Sequence, residues 1–148
     1  MKKRVFVQSL LILLPVLAVG LATTQNSVTV FDTVSGVTQY YSYFDLLPVT
    51  NLQMIPPLSA LCSAASGILA AIYLVKKNPR VLKASGYTAI ASASLAAIPT
   101  VMRQAVMVIP HVGLPIFMVL HYICCSMLPK VEAAAQPEKT KHKRLPNR

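Results

Sequence analysis

Residues 55–80 read IPPLSALCSAASGILAAIYLVKKNPR, and the abrupt change at Lys76 decides the fold class. From 55 to 75 there is no charged residue, whereas Lys76-Lys77-Asn78-Pro79-Arg80 packs three cations into five positions. At about 1.5 Å per residue, the uncharged run makes a helix long enough for a hydrocarbon core of roughly 30 Å. Three further apolar runs flank it, giving spans at about 5–22, 55–75, 84–102 and 106–128. Pro110 and Pro115 interrupt the last, so its regular helix is expected from near His111.

Composition points the same way. The chain has 148 residues, a length that suits one soluble domain, but 55% are hydrophobic and only 12% charged, with a mean hydropathy of +0.58. A water-soluble core of this size cannot hide that much apolar surface. The expectation is an all-α integral membrane protein: a four-helix transmembrane domain over 1–128 and a basic, disordered cytoplasmic tail over 129–148. The three cysteines, Cys62, Cys124 and Cys125, lie in or beside apolar runs and form no disulfide framework.

The net charge of +10 would suit nucleic acid if the cations formed a stripe, but they flank the apolar runs instead. Of the 14 Lys and Arg residues, all but Arg103 fall on one side of the predicted spans. Cytoplasmic segments retain positive charge during insertion, so both termini are expected inside, in a plasma or bacterial inner membrane. The competing reading is a cleaved signal peptide, because Lys2-Lys3-Arg4 precedes an apolar run ending in Gly20-Leu21-Ala22. That would leave three spans with unchanged orientation. In the tail, Lys139, Lys141, Lys143 and Arg144 would be drawn to anionic inner-leaflet lipids by about 1 kcal/mol each.

The loop over 23–54 is the one sizeable extracytoplasmic segment, with Asp32 and Asp45 and no Lys or Arg. Its β-formers on either side of Ser35-Gly36 suit a short β-hairpin on the membrane face. Tyr40, Tyr41, Tyr43 and Phe44 read as an interfacial aromatic belt or as an outer-loop interaction surface. Two stripes of small residues, Ser59-Ser63-Gly67-Ala71 and Ser85-Ala89-Ala93-Ala97, recur at intervals of four on adjacent spans. They predict close packing in an antiparallel hairpin joined through 76–83, and they suit self-association equally.

Ionisable groups in a bilayer are functional candidates by default, which singles out Arg103, His111 and His121. Arg103 can snorkel from a helix end, and His111 can satisfy a carbonyl that Pro110 frees. His121-x-x-Cys124-Cys125 holds soft ligands, but adjacent cysteines diverge on a helix and the spacing is not that of a metal site. Near a cytoplasmic boundary Cys124 and Cys125 fit S-palmitoylation, or inert packing. The four acidic residues, Asp32, Asp45, Glu132 and Glu138, all lie outside the predicted spans, which argues against a proton relay. No catalytic, nucleotide, metal or cofactor motif is assigned, and nucleic acid is not an expected partner. The expected function is a non-enzymatic membrane protein, an assembly, scaffold or accessory subunit acting with other membrane proteins. The alternative is a homo-oligomeric pore, a holin-like permeabilising protein or a small transporter.

Overall fold

The computed structural model describes residues 2–24, 28–31, 36–44, 54–101 and 109–134. Four helices form its body: α1 Lys2–Thr23, α2 Ile55–Lys76, α3 Pro79–Val101 and α4 Ile109–Ala134. Each contains a stretch long and apolar enough to cross a membrane. Neighbours in sequence pack against each other, and α4 closes the ring against α1 and α3, giving an up-down-up-down bundle. The alternation gathers Arg4, Lys76, Lys77, Arg80, Lys83 and Lys130 at one end, called the basic end below.

Two boundaries differ from the sequence expectation. The α2–α3 connection is not 76–83, because α3 opens at Pro79 rather than Ala84. Asn78 starts it: its Oδ1 accepts the Arg80 N–H at 2.9 Å and its carbonyl accepts the Val81 N–H at 3.1 Å, while proline fits the first helical position. Lys77 makes the reversal in the left-handed region (φ 53°, ψ 27°), its N–H donating to the Tyr73 carbonyl at 2.8 Å. The second difference is in α4, which runs through Pro129 to Ala134 rather than ending at Leu128. Proline at 129 removes one backbone bond, and the contacts of Glu132 described below hold the extra turn.

The small-residue stripes also turn out differently along their length. Ser59 and Ser63 are buried, but Gly67 is only half-buried and Ala71 is exposed; likewise Ser85, Ala89 and Ala93 are buried while Ala97 is exposed. A step of four residues overshoots one 3.6-residue turn by about 40°, so such a stripe winds off the interface after two or three steps. Ser66, Ala70 and Tyr73 on α2, and Ser92 and Ala96 on α3, take the buried positions instead. Gly67 serves the α1 contact, where a Cβ would stand 3.0 Å from that of Pro15.

Strands β1 Val28–Phe31 and β2 Thr38–Tyr41 pair antiparallel between α1 and α2, in the register Val28↔Tyr41 to Phe31↔Thr38. Just beyond them, Tyr43 departs from the expected surface cluster. Its ring is fully buried among Ala18, Ala22, Ala60, Ala89, Ala93, Ala96, Leu114 and Met118, and its N–H donates to the Ala22 carbonyl at 3.2 Å. Alanine-rich faces leave room at this end of the bundle, and one aromatic ring fills it. Tyr40 and Phe44 remain exposed.

Candidate functional site: a buried serine–histidine–cysteine seam

Serine hydroxyls inside the bundle bond the backbone carbonyls of the facing helix. Ser59 Oγ donates to the Ser92 carbonyl at 3.0 Å, and Ser92 Oγ returns a 2.8 Å bond to the Ser59 carbonyl. Two turns nearer the basic end the pattern repeats: Ser66 Oγ to the Ser85 carbonyl at 2.8 Å, and Ser85 Oγ to the Ser66 carbonyl at 2.9 Å. The seven-residue step forward on α2 matches the seven-residue step back on α3, as an antiparallel pair requires. Ser63 joins the first clasp, its Oγ 2.7 Å from that of Ser92. Backbones must approach closely for such reciprocal bonds, and small hydroxylated side chains permit this.

The second clasp extends into α4. Ser85 Oγ lies 2.9 Å from His121 Nε2, and Cys125 Sγ lies 3.4 Å from the same nitrogen. His121 is fully buried, and its Nδ1 has no hydrogen bond of standard geometry among the described residues. His121 thus joins α4 to the Ser66–Ser85 clasp of α2 and α3.

Cys125–His121 has the atoms of a nucleophile–base pair, but Cys124 and Cys125 are both buried and their thiols are free of disulfides. Among the described residues no three His, Cys, Asp or Glu side chains gather to hold a metal. Arg103 and the side chain of His111 lie outside the described residues, as do residues 135–148 of the basic tail.

A second polar cluster sits at the basic end. Glu132 Oε2 accepts from Tyr73 at 2.7 Å, and Oε1 accepts from Gln8 Nε2 at 3.0 Å. Arg4 Nε and Lys77 Nζ approach Oε1 to 3.5 and 3.7 Å, and Lys77 Nζ stands 5.2 Å from the centre of the Tyr73 ring. One carboxylate therefore joins the ends of α2 and α4 to the start of α1. The contacts to Lys77 also offset the roughly 1–2 kcal/mol that a left-handed non-glycine residue costs. Neither the seven-residue serine spacing nor this carboxylate was singled out from the sequence. The spacing was there to be read, but the partners of Glu132 come from two distant helices.

No family model, curated protein or solved structure matches the chain.

Proposed function

We propose that this chain is a small, non-enzymatic multi-pass membrane protein that serves as an assembly, scaffold or accessory subunit, with both termini cytoplasmic. The observation that carries this reading is the division of chemistry between the inside and outside of the bundle. The interior serine hydroxyls are spent on backbone carbonyls of the facing helix, whereas large apolar groups such as Phe6, Val16, Leu61, Ile68, Ile116 and Ile123 are exposed along the outer faces. An exposed apolar belt of this extent suits lipid and neighbouring helices. In this reading the β1–β2 ribbon is extracytoplasmic, the basic end faces the cytoplasm, and Tyr40 and Phe44 are available to partners. Residues 135–148 add cations on the cytoplasmic side.

The test is mild extraction of the full chain from its native membrane, followed by identification of the proteins that come with it. A defined membrane partner recovered in fixed ratio is expected. A chain that purifies alone and makes liposomes leak small solutes would replace this reading with a self-associating pore.

A further inference from the structure

A groove of about 270 Å³ opens between α3 and α4 at the basic end. Lys83 and Ser126 line it toward the basic end, and Gly86, Tyr87 and Tyr122 line it further along the helices. Tyr87 lies one turn beyond Lys83, about 6 Å further from the basic end. Gly86 shapes the floor: a Cβ there would meet the Tyr122 ring at 3.2 Å, so its absence lets that ring lie close against α3.

Charge and apolarity are separated along this groove. Lys83 lines it, exposed Arg80 and Lys130 adjoin its end residues Pro79 and Pro129, and none of its lining residues is acidic. The carboxylate of Glu132 is engaged elsewhere, with Tyr73, Gln8, Arg4 and Lys77. A second groove, between α1 and α2, is lined by Ile12, Val16, Ala64, Ile68 and other apolar residues, with no cation to select a headgroup. We infer that the α3–α4 groove is a binding site for an anionic phospholipid, with the headgroup phosphate at Lys83 and an acyl chain along Gly86, Tyr87 and Tyr122. A free anion would use only the stretch at Lys83. An amphiphile uses both parts, and a groove that opens sideways from a membrane helix pair is filled from the bilayer. The inference rests on the membrane reading above.

The full chain is reconstituted in bilayer discs of phosphatidylcholine containing phosphatidylglycerol, and lipid retained after detergent release is measured by native mass spectrometry. Wild type is expected to retain phosphatidylglycerol over phosphatidylcholine. Lys83→Ala should reduce that retention about fivefold, Lys83→Arg should restore it, and Ser126→Phe should abolish it by filling the groove. Lys76→Ala, at a cation that does not line the groove, should leave it unchanged. Equal loss in Lys76→Ala and Lys83→Ala, equal retention of the two lipids, or full displacement by inorganic phosphate would overturn the assignment. Resistance to alkaline extraction is measured in parallel on each variant. A chain that washes off the bilayer defeats the membrane reading itself, whereas an inserted chain without phosphatidylglycerol selectivity defeats only this site.

Discussion

Tyr73 donates a 2.7 Å hydrogen bond to Glu132, joining the last turns of α2 and α4 at the same end of the bundle. Glu132 is the one acidic side chain among the described residues, and Gln8, Arg4 and Lys77 converge on it as well. A hydrogen bond to a charged group contributes about 1.5–3 kcal/mol, and the half-exposed cations add up to about 1 kcal/mol each. Glu132→Ala is therefore expected to destabilise the bundle by about 2–4 kcal/mol. Glu132→Gln keeps an acceptor for Tyr73 and should lose about half of that. Thermal unfolding in a mild detergent measures both, and an undiminished stability of Glu132→Gln would show that the charge is irrelevant.

His121 should be coupled energetically to Ser85. Hydrogen bonds between membrane helices contribute about 0.6 kcal/mol on average and up to about 1.7. A double-mutant cycle with Ser85→Ala and His121→Leu is expected to give a coupling within that span. A coupling of zero would show that the 2.9 Å contact carries no stability.

Gly67 and Gly20 should respond in opposite ways to a larger side chain. A Cβ at 67 meets the rigid Pro15 ring at 3.0 Å, whereas one at 20 meets nothing within 4 Å. Gly67→Leu is expected to push α1 from α2 and cost about 1–3 kcal/mol. Gly20→Ala should be neutral or stabilise by up to about 1 kcal/mol. Thermal unfolding and cysteine cross-linking between α1 and α2 report the two effects.

Tyr43 should hold its segment against the bundle, and the hold should fail in alkali. Removing the ring leaves a cavity, so Tyr43→Ala is expected to cost about 3–5 kcal/mol. Burial raises the phenol above its ordinary value of 10.0. Below pH 10 both folded and unfolded phenols are neutral, and the contribution is fully present. Above it the unfolded phenol ionises while the buried one does not, so stability falls as pH rises. Tyr43→Phe should flatten that fall, as unfolding between pH 8 and 11 would show.

Hydropathy and charge are local properties, and they were enough to find four helices of spanning length and the alternation that brings the cations of the described helices to one end. The start of α3 was legible too, in Asn78-Pro79, but the lysines around it read as loop because their charge outweighed the capping signal. The four-residue stripes followed a period that drifts from the helix's own. The seven-residue spacing of Ser59 with Ser66, and of Ser85 with Ser92, carried the contact. What no local pattern contains is which distant group completes a side chain's bonding. Tyr43 looked like a member of an aromatic surface cluster until alanines from α1, α2 and α3 enclosed it. Glu132 read as one charge in a polar tail until α1 and α2 brought Gln8 and Tyr73 to it. The sequence by itself determined the four helices and their basic end, because those depend on neighbours along the chain. Tertiary structure decided the serine clasps, the place of His121 and the junction at Glu132, because each is closed by atoms from helices far apart in sequence.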